Sequence, residues 1–286
     1  MNKTDISIVI PAKNEAENLR DFLPGLVSLY PEAEIIVVND GSTDDTLAIS
    51  EANGVKVITH LYSKGNGASI KTGARAATRD IVVFMDGDGQ HQPADIERLL
   101  DGIEEGADMC VGARNSESQA SVGRSLANGF YNRLSTWISG HPILDLTSGF
   151  RAVKRKKFRE FIYLLPNGFS YPTTITMAFF RAGYSVKYIP IVALARGGRS
   201  HINLFRDGVR FLIIIFKIGT LYSPLKIFVP TAMAFFFTGV GYYLYTFLTR
   251  HVFTNMSAVL FISAIIVFLI GLVSEQITSL MYKDND

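Results

Sequence analysis

The sequence has 286 residues and only one cysteine, Cys110, so it cannot form an intramolecular disulfide. That cysteine lies in the apolar run Met109–Val111, where the pattern predicts a core residue. No G-x-G-x-x-G motif follows the first predicted strand, and no G-x-x-x-x-G-K-S/T motif occurs, which argues against dinucleotide oxidoreductases and P-loop nucleotide hydrolases. The formal net charge is only +2, which gives no indication of nucleic-acid binding.

Short apolar runs alternate with segments of helical spacing through the first part of the chain. The predicted strands are Ile6–Ile10, Glu34–Val38, Val55–Thr59, Ile81–Met85 and Met109–Gly112. The predicted helices are Glu15–Leu29, Thr46–Glu51, Ala68–Ala77 and Pro93–Glu105. This alternation predicts an α/β fold with a mainly parallel sheet and helices on both faces. Residues 121–195 are less regular, apart from a predicted helix over Arg124–Ile138.

Polar, glycine-containing turns follow three of these strands. They are Pro11–Glu15 after the first, Asn39–Ser42 after the second and Asp86–Gln90 after the fourth. Ligands of open α/β sheets bind beyond the carboxyl ends of the strands, so the three turns together predict a binding site at that edge. Ordinary turn chemistry also supplies aspartate and glycine, and this remains the alternative for each turn taken singly.

The turn after the fourth strand carries the oxygen ligands that Mg²⁺ and Mn²⁺ prefer. Asp86 and Asp88 provide carboxylates, and Gln90 adds an amide oxygen. So few ligands suit a metal shared with a diphosphate. The alternative is that Asp88 or Gln90 caps the helix that begins at Pro93. In the second turn, Asp40 is placed to accept a hydrogen bond from a base or a ribose.

Charged residues become scarce after residue 211, where two apolar stretches, 227–248 and 256–276, are each long enough to cross a membrane. Basic residues before and after this hairpin place both of its ends in the cytoplasm. The segment 201–223 is predicted to be an amphipathic helix in the membrane interface, with packing on the protein core as the alternative. The chain enters a strand-like run directly after Lys3, so no cleaved signal peptide is expected.

Four soluble motifs resemble those of the family 2 glycosyltransferases of GT-A fold. They are Val9–Glu15, Val37–Asp44, Asp86–Pro93 and Asp145–Arg151. Together with Arg196–Ser200 and Ser223–Leu225, they are most similar to the polyisoprenyl-phosphate enzymes, such as dolichol-phosphate mannose synthases and bactoprenol glucosyltransferases. The resemblance covers nearly the whole chain. It implies a GT-A catalytic domain at 1–200, an interfacial helix at 201–223 and a transmembrane hairpin at 224–282, in a multi-pass protein of a bacterial or archaeal cell membrane.

The resemblance also implies roles for individual residues. The nucleotide pocket would be lined by Pro11, Ala12, Glu15 and Asp40. Asp86 would lie near the nucleotide or sugar, and Asp88 and Gln90 would bind Mg²⁺ or Mn²⁺. The lipid phosphate would be held by Arg114, assisted by Arg124 and, at a position where a hydroxyl residue is common, Asn128. Arg196 and Arg199 would be the cationic partners of the leaving group. His201 occupies a position at which related enzymes often have lysine. Arg151 is counted among the catalytic residues, with an ion pair at the sheet edge as its alternative.

The implied reaction is an inverting transfer of a sugar from a UDP- or GDP-sugar to a polyisoprenyl phosphate. A glycan or glycolipid hydroxyl is the alternative acceptor, for which Asp145 is the nearest candidate base. A polysaccharide-forming enzyme would carry Q-x-x-R-W, but the one tryptophan, Trp137, follows Thr136. A non-catalytic membrane adaptor and a sugar-phosphate nucleotidyltransferase are further alternatives. The sequence leaves open the sugar, the nucleotide, the lipid length, the role of Glu275 and assembly into a homo-oligomer.

Overall fold

The computed structural model describes residues 5–114, 122–168, 170–192, 216 and 219–281, and for 122–128, 130 and 131 it describes the backbone alone. The chain divides into two compact units. The first comprises 1–136 and 141–202, and the second comprises 137–140 and 203–286.

A mixed sheet of seven strands forms the centre of the first unit. Its strands are β1 (Ile6–Ala12), β2 (Glu34–Asn39), β3 (Lys56–Thr59), β4 (Ile81–Phe84), β5 (Met109–Arg114), β6 (Arg151–Lys154) and β7 (Val186–Ile191). Their order is β3-β2-β1-β4-β6-β5-β7, and β6 alone runs antiparallel to its neighbours among these strands. Every residue of β1 and β4 is buried, which explains why both are apolar without alternation.

Among the described residues, seven α-helices connect or cover these strands. They are α1 (Ala16–Leu29), α2 (Thr46–Ala52), α3 (Asn66–Ala76), α4 (Asp95–Glu104), α5 (Val122–Ser139), α6 (Arg155–Glu160) and α7 (Tyr171–Arg181). Helix α4 is amphipathic, because Ile96, Leu99 and Ile103 recur at helical spacing and form one buried face. Cys110 is buried in the core, as predicted.

All the strands and helices predicted for residues 1–112 are present, with ends shifted by a few residues. The expectation that 121–195 is less regular than the preceding part, apart from one helix, is wrong beyond α5. This region contributes β6, α6, α7 and β7, and β6 lies in the interior of the sheet between β4 and β5.

In its described part, the second unit contains two long helices, α8 (Pro224–Arg250) and α9 (Asn255–Met281), of 27 residues each. At 1.5 Å per residue, each spans about 40 Å, more than a hydrocarbon core of about 30 Å. Both are long and apolar enough to cross a membrane. The predicted interfacial helix at 201–223 lies outside the described residues, except that 216 and 219–222 are helical.

Small side chains form the seam along which α8 and α9 pack. The buried seam positions are Ala232, Gly239 and Thr246 on α8 and Ser257, Ala264, Gly271 and Thr278 on α9. They recur every seven residues, the period of a left-handed helix pair. A side chain added at Gly239 would place its Cβ 3.1 Å from Phe261, which shows how closely the helices approach. Small residues permit this approach, and the large apolar side chains point outward.

Candidate active site

The turns that follow β1 and β2 are joined into one structure by hydrogen bonds. The backbone N–H of Asn14 donates to Ser42 Oγ at 3.0 Å, and Thr43 N–H donates back to Asn14 Oδ1 at 2.8 Å. Glu15 N–H donates to Thr46 Oγ1 at 3.0 Å. Asn14 adopts a positive φ of 55°, a conformation that asparagine tolerates better than most residues. The first two sequence motifs therefore form one continuous rim.

The Asp86–Gln90 turn after β4 lies against this rim and against the 148–150 segment. A Cβ on Gly87 would lie 3.0 Å from the carbonyl oxygen of Pro11, and a Cβ on Gly149 would lie 2.7 Å from Asp86 Oδ2. Any side chain at Gly149 would displace the carboxylate. The third and fourth sequence motifs thus meet at Asp86, as expected for residues at the carboxyl edge of the sheet.

Asp86 is held in its ionised form by its neighbours. His91 Nε2 lies 3.5 Å from Asp86 Oδ2, and the buried His91 ring stacks on Phe150 with centroids 4.8 Å apart. Burial acts to raise the pKa of Asp86, but the His91 hydrogen bond and the charges of His91, Arg114 and Arg151 outweigh it and keep the pKa below its usual value. Its side chain is 31% exposed, so the negative charge faces the site.

Arg114, at the end of β5, forms a forked ion pair with the buried Asp145. Its Nε donates to Asp145 Oδ2 at 2.8 Å, and one Nη donates to Asp145 Oδ1 at 3.2 Å and to Thr147 Oγ1 at 2.7 Å. Burial acts to lower the pKa of Arg114, but Asp145, Asp86 and Asp88 together raise it. Arg114 therefore shares the electrostatic environment of the Asp86–Gln90 turn, which we call the metal turn, while its side chain stays 30% exposed.

Asp145 already accepts hydrogen bonds on both of its carboxylate oxygens. Besides Arg114, it accepts hydrogen bonds from the backbone N–H groups of Thr147 and Ser148, at 3.0 and 3.1 Å. Burial acts to raise its pKa, but the ion pair with Arg114 and these hydrogen bonds hold the pKa below its usual value. Its function in the structure is to orient Arg114.

Arg151 lies in the protein core. It is fully buried, and it donates to the carbonyl oxygens of Ser148 and Pro172 and to Thr176 Oγ1. These partners are neutral, which rules out the ion pair at the sheet edge that was the alternative prediction. Contact with a substrate does not fit this burial either, so the structure gives Arg151 a supporting position behind Asp86.

The metal turn fits a divalent cation whose coordination is completed by a ligand. Asp88 and Gln90 are both half-buried, and Gln90 N–H donates to Asp88 Oδ1 at 3.2 Å. Among the residues that the structure describes, no cluster of three or more histidine, cysteine, aspartate or glutamate side chains is arranged to hold a metal. Two oxygen ligands on one turn suit Mg²⁺ or Mn²⁺ that takes its remaining ligands from phosphates and water.

The predicted nucleotide residues also gather at this edge. Pro11 and Ala12 end β1, and Glu15 accepts a hydrogen bond from Asn18 at 2.6 Å. Asp40 is buried at the end of β2. For Arg124 and Asn128 only the helical backbone is described, and Arg196, Arg199 and His201 lie outside the described residues.

The segment after β3 was not among the predicted parts of the site, although it too follows the carboxyl end of a parallel strand. His60 follows that strand, and its ring nitrogens lie 2.7 Å from Asp40 Oδ1 and 2.9 Å from Thr72 Oγ1. Gly149, which makes room for Asp86, was likewise noted only as part of a motif.

Comparisons with known proteins agree with this architecture. The model of glycosyl transferase family 2 matches residues 7–162, and the model of the GtrB C-terminal hairpin matches residues 223–280. Glycosyltransferase AglJ of Haloferax volcanii is 28% identical over 295 residues, covering 96% of this chain and 94% of AglJ. The polyprenol monophosphomannose synthase of Mycolicibacterium smegmatis is 29% identical over 204 residues, covering 66% of this chain and 77% of the synthase.

A solved structure shares the fold of the first unit. Glucosyl-3-phosphoglycerate synthase from Mycobacterium tuberculosis, in complex with Mn²⁺, UDP-glucose and phosphoglyceric acid, matches with a TM-score of 0.59 and 21% identity, covering 75% of this chain and 79% of that chain. The GT-A fold is therefore confirmed. Because the family 2 model spans more than half of the sequence and the hairpin model matches the two apolar helices, the chain belongs to glycosyl transferase family 2 and is a membrane-anchored glycosyltransferase.

Proposed function

We propose that the protein transfers a sugar, with inversion, from a nucleotide-diphosphate sugar to the phosphate of a polyisoprenyl phosphate at the cytoplasmic face of the membrane. The observation that carries this proposal is the Arg114–Asp145 pair beside the metal turn. Arg114 supplies a partly exposed cation for an anionic acceptor. Its ion pair occupies Asp145, the nearest candidate base for a hydroxyl acceptor.

The acceptor chemistry follows from the state of Asp145. A sugar hydroxyl needs a general base to become a good nucleophile, whereas a lipid phosphate is already anionic near neutral pH. Both oxygens of Asp145 accept hydrogen bonds, and its pKa is lowered, so it is a poor base. Arg114 can instead form forked hydrogen bonds to a phosphate, and Arg124 is proposed to assist it.

The donor side is proposed to rest on the metal turn and the rim. Asp88 and Gln90 would hold Mg²⁺ or Mn²⁺, which as a Lewis acid offsets the negative charge of a diphosphate. Pro11, Ala12 and Glu15 would line the nucleotide pocket, and Arg196 and Arg199 would meet the departing diphosphate. The solved relative with Mn²⁺ and UDP-glucose supports this kind of donor.

The membrane arrangement is proposed from the charge pattern of the sequence. Both apolar helices would cross the bilayer, and the basic residues at both ends of the hairpin would keep the catalytic domain and the C-terminus in the cytoplasm. The polyprenol named in one relative supports a long isoprenoid acceptor. The hairpin would keep the enzyme in the membrane where such a lipid resides.

The test is a transfer assay with full-length protein in detergent, Mn²⁺ and labelled UDP- and GDP-sugars. Polyprenyl phosphate and the matched polyprenol, which lacks the phosphate, are offered separately. We expect one donor to label polyprenyl phosphate in an acid-labile product of inverted anomeric configuration, with no label in polyprenol. Label in polyprenol instead would identify a hydroxyl acceptor. Absence of both transfer and nucleotide binding would favour the adaptor.

A further inference from the structure

The metal turn is followed by a histidine that lies inside the protein. The side chain of His91 is only 5% exposed, although an imidazole loses favourable hydration when it is buried. The polar contact that the described residues give its ring is with Asp86, at 3.5 Å between His91 Nε2 and Asp86 Oδ2. An apolar side chain would fill the same space without that loss of hydration. The fold alone therefore does not account for a histidine at this position.

The two ring nitrogens of His91 have different surroundings. Nδ1 is buried and has no hydrogen-bond partner among the residues that the structure describes. Because Nε2 faces a carboxylate, we assign the ring proton to Nε2, which leaves Nδ1 as a bare acceptor. With Nδ1 enclosed and Nε2 directed at Asp86, the geometry suits support of the carboxylate and not ligation of a cation.

Phe150 fixes the plane of the His91 ring. The two rings stack with centroids 4.8 Å apart and an interplanar angle of 12°. Phe150 is itself fully buried, and its carbonyl oxygen accepts a hydrogen bond from Gly112 N–H at 2.9 Å. A Cβ on Gly112 would lie 2.8 Å from Phe150 Cδ1, so strand β5 leaves just enough room for the phenyl ring. The surface on which His91 rests therefore cannot shift unless β5 moves with it.

Gly149 bounds the Asp86 carboxylate from a second direction. A Cβ on Gly149 would lie 2.7 Å from Asp86 Oδ2 and 3.1 Å from Oδ1, so the backbone there lies against the carboxylate. This backbone is held in turn by Tyr171, whose Oη donates to the carbonyl oxygen of Gly149 at 3.3 Å. The carboxylate is thus bounded by Gly149 and by His91, while the Asp86 side chain stays 31% exposed toward the site.

We infer that His91 is a positioning residue for sugar transfer: supported by Phe150, it fixes the direction in which the Asp86 carboxylate meets the nucleotide sugar. The inference deepens the proposed function and rests on it in one respect, since it requires that Asp86 contacts the donor. A freely turning carboxylate loses side-chain entropy each time it binds a substrate, whereas a fixed one has already lost it during folding. Removal of the support should therefore weaken donor binding.

Two amide variants test the contact, because they place a nitrogen at different points of the former ring. In His91→Gln the amide nitrogen lies near the former Nε2 and can still reach Asp86, whereas in His91→Asn it lies near the former Nδ1 and cannot. Donor affinity is measured by isothermal titration of full-length protein in Mn²⁺, without lipid, with the UDP- or GDP-sugar that the wild type binds. We expect it to be about tenfold weaker in His91→Asn and within about threefold of wild type in His91→Gln. Equal losses in the two variants would overturn the inference.

A double-mutant cycle shows whether His91 acts through Asp86. In an Asp86→Asn background, His91→Asn should change donor affinity by less than about twofold, because the group that it positions is already altered. At saturating donor, both His91 variants should need the same Mn²⁺ concentration as the wild type. A tenfold loss in both backgrounds would show that His91 acts independently of Asp86. A higher Mn²⁺ requirement in both His91 variants would make His91 a metal ligand, and either result contradicts the inference.

Phe150→Leu and Phe161→Leu separate positioning from a general loss of stability. Both phenylalanines are buried against another aromatic ring, which for Phe161 is Phe179 at a centroid distance of 5.8 Å. Both substitutions should lower the melting temperature to a similar extent. Only Phe150→Leu should also weaken donor binding, by about threefold. A donor affinity that falls equally in the two variants would mean that Phe150 acts through stability alone, against the inference.

These outcomes separate the inference from the proposed function. A protein that binds a nucleotide sugar with the expected order of His91 variants, but glycosylates no polyprenyl phosphate, would contradict the proposed acceptor and support the positioning role. A protein that glycosylates polyprenyl phosphate, with donor affinity unchanged in His91→Asn, would support the proposed function and overturn the positioning role.

Discussion

The carboxyl ends of the strands, where the candidate site lies, and the apolar hairpin hold their side chains in position by different interactions. At the edge, charged and polar side chains converge, and each position is fixed by directional hydrogen bonds such as the forked pair of Arg114 and Asp145. In the hairpin, position is fixed by shape, because Gly239 and Ala264 let two backbones approach while large apolar groups face outward. Mutations should therefore affect the edge through charge and the hairpin through volume.

The largest effect should come from removing one charge at the edge. We expect Asp88→Asn to lower the rate of sugar transfer by about 10²–10³, the usual cost of losing one electrostatic contact to a transition state. The melting temperature should change little. Asp101→Asn, at an exposed carboxylate on α4, is the matched control and should transfer normally. Full activity in Asp88→Asn would show that the metal assignment is wrong.

A volume change at the edge tests whether shape matters there too. Gly149→Ala places a methyl group against Asp86, and we expect transfer to fall about thirtyfold as the carboxylate is displaced. Gly25→Ala, in α1 with open space around it, should leave transfer unchanged. Measured rates that are equal for the two variants would mean that Asp86 tolerates displacement, and the edge would then be less rigid than its contacts indicate.

In the hairpin, the matched pair is Gly239 and Gly241. A Cβ at Gly239 meets Phe261 and Leu260, whereas nothing lies within 4 Å of one at Gly241. We expect Gly239→Leu to destabilise the helix pair by about 2 kcal/mol, and Gly241→Leu to have little effect. Unfolding in bicelles measures the difference, and UDP affinity should stay constant in both variants. A loss of UDP affinity in Gly239→Leu alone would show that the two regions are coupled.

The smallest expected effect is a pH dependence of the folding stability at acidic pH. The pKa of Asp40 is lowered from 3.8 to about 2 on folding, so its ionised form stabilises the folded state above pH 3.8, and this contribution is lost as the pH falls towards 2. We expect the melting temperatures of the wild type and Asp40→Asn to differ by a constant amount from pH 7 to 5 and to converge below pH 4. Parallel curves down to pH 2 would contradict the low pKa.

The fold was predictable where burial left a continuous apolar run, and not where it depended on distant partners. Strands such as β1 and β4 are recognisable because both of their faces are covered. Strand β6 is short and contains two basic residues, so its four residues resemble a surface loop. Arg151 can be buried there because Pro172 and Thr176, from a different helix, accept its hydrogen bonds, and a linear pattern carries no record of that pairing.

The candidate site was predictable to the level of its turns, since the edge rule brings Asp40, Asp86 and Arg114 to one end of the sheet. The rule does not say which acceptors are already occupied. The hydrogen bonds that Asp40 accepts from residues 60–65, between β3 and α3, and those that Asp145 accepts from Arg114 are visible only in three dimensions. The roles of Asp88, Gln90, Arg124, Arg196 and Arg199 stay predictions, and the Asp88→Asn variant tests the first of them.

The repeat along the hairpin seam leaves its alignment open to a shift. Sliding α9 by seven residues, about 10 Å, would again set small residues against small residues. The short connection 251–254 opposes this slide, because four residues cannot span the extra distance while both helices stay intact. His251, the first residue of the connection, takes a left-handed conformation with a φ of 51°. The length of that connection thus selects one of several degenerate registers, and inserting a few flexible residues there would free the pair to exchange between them.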